Sequence, residues 1–182
     1  GIPFYDSELI KVAAKESGIC EEIFESFDEK PTTRFLYSLV MDPYSLGYNS
    51  NSFDLPLNHK VFLAAFDTIK ELASKGPCVF VGRCADYALS EYKDCFSVFV
   101  HADTDWRINR LSQKHNKTAK EAKDMINKTD KSRSSYYNYY TNKKWGAASS
   151  YNLCVDSSKL GIDGAAKAII QAIEIFDSIK NK

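Results

Sequence analysis

The stretch Cys78-Val79-Phe80-Val81-Gly82-Arg83 decides the fold, because four consecutive apolar residues lead directly into a glycine and an arginine. A short continuous apolar run is typical of a strand that is buried on both faces of a parallel sheet. Similar runs occur over residues 97–100 and 153–155. We therefore predict at least three buried strands, the first of which ends at groups suited to a ligand.

Helical patterns separate these strands. The clearest covers residues 57–74, where apolar side chains recur at three-to-four spacing. We predict further helices over residues 104–114, 118–140 and 162–179, and shorter ones over 21–27 and 33–41. Strands that alternate with helices indicate an α/β fold in which helices cover both faces of a parallel sheet. The length of 182 residues fits a single domain over 1–182.

Composition excludes several classes of protein. No apolar run approaches the roughly 18–20 residues of a membrane-spanning helix, so we expect no membrane partner. The five cysteines are odd in number and form no C-x-x-C pair, and the three histidines are scattered. This pattern argues against a disulfide framework and against a structural zinc site, and we predict no metal-ligating residues. We expect a reduced, cytoplasmic location.

Positive charge is concentrated in one segment of a chain whose net charge is zero. Residues 107–144 contain eleven Lys or Arg and three Asp or Glu, which leaves thirteen basic and twenty-one acidic residues elsewhere. A neutral protein with one basic segment suggests an anion bound at one place. A solvated basic helix is the other interpretation.

The strand ends are the place to search for a ligand site, because open α/β sheets bind ligands beyond the carboxyl ends of their strands. Gly82 allows the backbone to approach a ligand closely, and Arg83 offers a planar fork of donors for two phosphate oxygens. A salt bridge at the strand end is the alternative role for Arg83.

The basic segment supplies further cations. Lys131 and Arg133 lie on one predicted helix, and Arg107 and Arg110 lie one turn apart on another. Phosphoryl transfer depends on cations that converge on one site, because the transferred group spreads negative charge over its oxygens. A helical segment of this kind suits a lid that closes over the reactants.

Five segments of the chain resemble the cytidylate kinase-like proteins, which are relatives of the nucleoside monophosphate kinases within the P-loop NTPase class. They are GIPFYDSELI (1–10), GPCVFVGRCADYAL (76–89), HADTDWRINRL (101–111), DKSRSSYYNYYTNKKWG (130–146) and YNLCVDSSKLGIDGAA (151–166). The resemblance implies a P-loop NTPase fold with a helical lid region over 107–146 and an acceptor-binding arm over 19–56. It also implies phosphoryl transfer from ATP, with Mg²⁺, to a nucleoside monophosphate.

The resemblance further implies roles for single residues. Lys131 and Arg133 would be catalytic cations of the lid. The acceptor, and above all its phosphate, would be bound by Tyr5, Asp6, Gly82, Arg83 and Asp86. The nucleotide donor would be bound by Arg107 or Arg110 and by the loop that contains Ser157 and Ser158.

Two departures from the family pattern stand out. Cys84 follows Arg83 at a position where cytidylate kinases carry an aspartate that helps to read cytosine, which leaves the acceptor base open. The family's glycine-rich phosphate loop is also missing from these 182 residues. We expect about 20 further residues, a strand and that loop, before Gly1.

Two other functions fit parts of the sequence. A non-catalytic nucleotide-binding or regulatory relative would explain the cysteine and the missing loop. A module that binds single-stranded nucleic acid would use the tyrosines 136, 137, 139 and 140 as a stacking platform. On a helix the tyrosines 136, 139 and 140 share a face, which favours their packing on the core, and zero net charge disfavours nucleic acid. We therefore expect a small-molecule nucleotide as the partner.

Overall fold

The computed structural model describes residues 1–6, 9, 12, 13, 15, 17, 18 and 57–180. These residues form two compact units. Unit 1 is the described part of Gly1–Glu91 together with Tyr139–Thr141, and unit 2 is the described part of Tyr92–Asn138 and Asn142–Lys182. The predicted acceptor-binding arm, and the short helices predicted within it, lie outside the described residues.

Unit 1 contains one pair of short parallel strands. β1 is Phe4–Tyr5 and β2 is Val79–Phe80. The rings of Tyr5 and Phe80, which lie opposite each other in the pair, stack with their centroids 5.3 Å apart. Ring stacking therefore reinforces the backbone hydrogen bonds on one face of the pair.

The other face of this strand pair is exposed to solvent. Val79 and Val81 are 46% and 42% exposed, and Ile2 and Phe4 are 63% and 58% exposed. Successive side chains of a strand point to opposite faces, and only the Tyr5 face is packed. The expectation that residues 78–81 are buried on both faces is therefore wrong in the structure as described.

One long helix supplies more of the described core of unit 1 than any other element. α1 spans Leu57–Ser74. Its buried side chains recur every three or four residues, as the sequence predicted: Val61, Phe62, Ala65, Ile69 and Leu72. Phe62 stacks on Tyr140 with ring centroids 3.8 Å apart. A single helical turn, α2 (Ala85–Ala88), follows β2.

Unit 2 is built on a second pair of parallel strands. β3 is Val98–His101 and β4 is Leu153–Asp156, and the four residues of each strand pair in register. Parallel strands require a crossover connection. Here the crossover consists of α3 (Thr104–His115), α4 (Ala119–Thr141) and a short 3₁₀ turn (Ala148–Ser150).

α3 and α4 form a helical hairpin whose turn is set by local side-chain chemistry. α3 ends at Asn116, which adopts a left-handed conformation. α4 begins with a capping box, in which the hydroxyl of Thr118 accepts from the Glu121 N–H and the Glu121 carboxylate accepts from the Thr118 N–H at 2.8 Å. The bounds of both helices confirm the prediction to within a residue or two.

α5 (Ser157–Lys180) leaves β4 directly and is broken near its start. Gly161 has φ 69° and ψ 173°, which is not helical, so the regular helix runs from the next residue, as predicted from the sequence. Val155 and Ala165 are 4% and 5% exposed in the core of unit 2.

A close contact between a glycine and an aromatic ring packs one end of this core. Gly146 has φ 74°, and a Cβ atom placed on it would lie 3.1 Å from Cζ of Phe99. The Phe99 ring also meets Trp145 edge-on, with centroids 5.2 Å apart. Position 146 therefore requires glycine both for its backbone and for space.

The α/β class and the parallel pairing of strands are confirmed. The described sheets are small, however, with two strands each rather than the single larger sheet that was expected. Within the described ranges, none of the helices combines the length and the apolar character that crossing a bilayer requires.

Candidate functional site

The turn that follows β2 has a strained backbone. Gly82, Arg83 and Cys84 have φ values of 76°, 52° and 56°. The left-handed conformation costs about 1–2 kcal/mol for a residue that carries a Cβ atom. Such strain persists where the surroundings fix it, and it is concentrated at functional sites. The Gly82 carbonyl accepts from the Ala85 N–H at 3.0 Å, so the turn leads the strand directly into α2.

Arg83 is an enclosed cation next to a carboxylate. Its side chain is 12% exposed, and its Nη1 lies 3.7 Å from Oδ1 of Asp6, whose side chain is 50% exposed. Asp6 directly follows β1, and Arg83 follows β2. Because the two strands are parallel, both residues lie at the carboxyl end of the pair. The structure thus brings together two of the predicted acceptor-binding residues.

The other predicted acceptor residues also lie in unit 1. Tyr5 is the last residue of β1, Gly82 opens the left-handed turn, and Asp86 is a half-buried acid in α2. Cys84 differs from these residues because it is only 4% exposed. Its side chain therefore lies in the interior of unit 1, and its role there is packing.

The carboxyl ends of β3 and β4 form a separate polar cluster in unit 2. The hydroxyl and the backbone N–H of Ser158 both donate to Oδ1 of Asp156, the N–H at 2.9 Å. The Ser158 Oγ also accepts from the backbone N–H of Asp103 at 3.1 Å. The hydroxyl hydrogen bond is the main reason that the pKa of Asp156 is lowered from its ordinary value.

Ser157 and Lys159 complete this cluster. The Ser157 hydroxyl donates to the backbone carbonyl of His101 at 3.1 Å. Lys159 Nζ lies 2.7 Å from Oδ2 of Asp103, and this hydrogen bond raises the pKa of Lys159. The hydroxyls predicted to border the donor nucleotide are thus engaged in joining the two strand ends.

Arg107 makes a bidentate ion pair within the helical hairpin. Its Nη1 and Nη2 each lie 2.7 Å from a different carboxylate oxygen of Asp130. The two side chains are 32% and 28% exposed. The hydrogen bond to Asp130 raises the pKa of Arg107 above its ordinary value. A bidentate arginine–carboxylate pair of this kind is among the stronger polar contacts in proteins.

The remaining predicted cations of unit 2 are exposed. Arg110 lies over the ring of Trp106, with its Cζ atom 5.5 Å from the ring centroid. Lys131 and Arg133 are exposed on α4, just after the Asp130 pair. Residues two apart on a helix do not face each other, so these two cations lie on different sides of α4.

A sequence model of the cytidylate kinase-like family matches residues 1–159. The chain belongs to this family. The predicted family is therefore confirmed, and the match includes both strand pairs, α1 and the helical hairpin.

A solved structure is also similar to this member of the cytidylate kinase-like family. It is the crystal structure of an uncharacterized protein from Eubacterium ventriosum ATCC 27560, with 32% sequence identity and a TM-score of 0.62. The similarity covers 64% of this chain and 74% of that chain. No curated protein matches the chain.

Asp130 is the residue of interest that the sequence did not reveal. It lies 23 positions from Arg107, so neither helical nor strand spacing indicates that the two residues meet. Asp156 directly follows the apolar run 153–155 and Asp103 lies three residues after the run 97–100, but no pattern in the sequence shows that Ser158 connects them.

Proposed function

We propose that this protein transfers a phosphoryl group from ATP to a small phosphorylated acceptor, a nucleoside monophosphate. Membership of the cytidylate kinase-like family supports a kinase-like function. The proposal extends to the architecture: the two parallel strand pairs are parts of a P-loop NTPase fold of the nucleoside monophosphate kinase type.

The observation that carries this proposal is the setting of Arg83. A strained turn fixes its backbone, its side chain is 12% exposed, and it lies at the carboxyl end of a parallel strand pair. A guanidinium held there has few rotamers to lose when it binds an anion. Its planar fork matches two oxygens of a phosphate group, and Tyr5 and Asp6 lie at the same strand ends.

The exposed cations of α4 are the proposed catalytic groups. Lys131 and Arg133 leave α4 on different sides, and each would contact the negative charge of the phosphoryl group from its own side during the transfer. ATP, when bound, would supply that group, and Mg²⁺ would neutralise part of its charge. In the described ranges there is no cluster of three or more His, Cys, Asp or Glu side chains that could hold a metal. Mg²⁺ in kinase sites relies largely on phosphates and water, so we assign it no protein ligands.

A second candidate function is nucleotide binding without catalysis. The residue that favours this function is Cys84, which is buried. The cytidylate kinases that the sequence resembles carry an aspartate at this position, and that aspartate helps to read the base. Such a relative would bind a nucleotide phosphate through Arg83 but would not transfer it.

A coupled assay on the full-length protein distinguishes these functions. ATP, Mg²⁺ and one nucleoside monophosphate at a time are supplied, and ADP formation is followed. The proposed function predicts ADP formation that depends on at least one acceptor. Saturable nucleotide binding by calorimetry, with no ADP from any acceptor, would support the non-catalytic relative instead.

The proposal also includes a cytoplasmic location. The described cysteines Cys78, Cys84, Cys95 and Cys154 are free thiols. Free thiols persist where glutathione and thioredoxin keep the compartment reducing.

A further inference from the structure

The bidentate pair between Arg107 and Asp130 joins two helices of unit 2 through residues 23 positions apart in the sequence. Arg107 lies in the first turn of α3, where its backbone N–H donates to the Asp103 carbonyl at 3.0 Å. Asp130 lies in the middle of α4. The pair therefore connects the helix that leaves β3 with the central turns of the helix that carries the exposed cations.

The geometry of this pair leaves Arg107 poorly suited to a nucleotide base. Both of its terminal nitrogens already donate to a carboxylate at 2.7 Å, and about two thirds of its side chain is enclosed. Releasing the fork would leave the Asp130 carboxylate without its two charge-assisted hydrogen bonds. Arg110, one turn along α3, is exposed by comparison.

Asp130 directly precedes the two proposed catalytic cations of α4. Lys131 is the next residue, and Arg133 follows one helical turn from Asp130. A helix fixed at residue 130 by a two-point contact is fixed in rotation about its own axis. The directions in which the next few side chains leave α4 are fixed as well.

We propose that Arg107 is a positioning residue that acts through Asp130, and that the pair orients the segment of α4 bearing Lys131 and Arg133. The part of this inference that concerns catalysis rests on the proposed phosphoryl transfer. The part that concerns the helix does not. In this proposal Arg107 supports the catalytic cations and is no longer assigned to the donor-binding residues.

Steady-state kinetics separate positioning from nucleotide contact. The variants are Arg107→Met, Arg107→Lys, Asp130→Asn and the double variant Arg107→Met/Asp130→Asn. A matched control is Glu71→Gln, which breaks the exposed ion pair of Glu71 with Lys75 at the end of α1. Asp130→Asn preserves the shape of the side chain but replaces one of the two acceptor oxygens with an NH2 group, so it removes the two-point contact and remains informative if Arg107→Met folds poorly.

Positioning predicts that kcat falls about tenfold or more in each single variant, while the KM for ATP changes by less than about threefold. Arg107→Lys should not rescue the rate, because lysine lacks the fork. The double variant should be no slower than the single variants, because both remove the same contact. A raised KM for ATP with kcat retained, or an Asp130→Asn variant with normal kinetics, would overturn the proposal.

Hydrogen exchange gives a readout that does not depend on activity. The amides of residues 126–136 should exchange faster in Arg107→Met and Asp130→Asn than in the wild type, whereas Glu71→Gln should leave them unchanged. If the wild-type protein transfers no phosphate, the proposed function fails, and exchange alone decides whether the pair orients α4. Unchanged exchange in both variants would refute the positioning role.

Discussion

Arg83 Nη1 lies 3.7 Å from Asp6 Oδ1, and this contact joins the residues that follow two parallel strands. The arginine is 12% exposed and the aspartate is 50% exposed, so the pair opens toward solvent on the aspartate side. The contact therefore connects the carboxyl ends of β1 and β2.

Arg83→Ala should impair use of the acceptor. A hydrogen bond to a charged group contributes about 1.5–3 kcal/mol, so kcat/KM for the acceptor should fall by about 10- to 100-fold. The KM for ATP should stay close to the wild-type value. Steady-state kinetics with varied acceptor provide the measurement, and Lys75→Ala, which removes an exposed cation of unit 1, is the control. Unchanged acceptor kinetics would assign Arg83 to a structural role.

Gly146→Ala should destabilise the protein by about 2 kcal/mol or more. Gly146 has φ 74°, so a side chain at this position carries a backbone cost of about 1–2 kcal/mol. A Cβ at 146 also meets the Phe99 ring, at 3.1 Å, which adds an overpacking cost of about 1 kcal/mol or more. Urea unfolding of the wild type and the variant measures the loss of free energy. A loss no larger than the backbone cost would mean that the Phe99 ring moves aside without penalty.

Ser158→Ala should raise the pKa of Asp156 toward its ordinary value, because the hydroxyl is the largest cause of its lowering. A carboxylate with a lowered folded-state pKa stabilises the fold above its unfolded pKa, and this contribution is lost as the pH falls through the folded value. The variant should therefore lose less stability on acidification than the wild type. NMR titration of the Asp156 carboxyl measures the pKa directly.

Ser157→Ala is the control for that titration, since the Ser157 hydroxyl donates to His101 rather than to Asp156. Its Asp156 pKa should match the wild type. An unshifted Asp156 in Ser158→Ala would show that the hydroxyl does not hold the carboxylate in its ionised form.

Cys84 should be the slowest of the described cysteines to react with iodoacetamide in the folded protein. It is 4% exposed, whereas Cys78, Cys95 and Cys154 are each partly exposed. Mass spectrometry of partially labelled protein gives the order of reaction, and labelling in urea provides the reference. Rapid native alkylation at Cys84 would mean that its thiol faces the ligand edge after all.

The parts of the fold that could be predicted from the sequence are the helices and strands that depend on residues close together in the chain. The spacing of Val61, Ala65 and Ile69 predicted α1, and the Thr118–Glu121 capping signal lies at the start of α4. The apolar runs predicted parallel strands in the correct places. They did not predict the exposure of Val79 and Val81, because an apolar run specifies what a strand can bury and not what covers it.

The candidate site was predictable only where a residue follows a strand. Arg83 and Asp6 come together because parallel strands end at one edge. The contact of Arg107 with Asp130 depends on how two helices cross, which no short sequence pattern encodes. The hydrogen bond from the Asp103 N–H to Ser158 likewise depends on strand pairing, because the two residues lie 55 positions apart.

The most direct test of phosphoryl transfer follows the phosphate itself. Full-length protein is incubated with ATP labelled at the γ-phosphate, Mg²⁺ and each nucleoside monophosphate, and the products are separated by chromatography. Phosphoryl transfer predicts label in the terminal phosphate of a nucleoside diphosphate, formed more slowly by Arg83→Ala. Label that remains in ATP with every acceptor, or that appears only as inorganic phosphate, would contradict it.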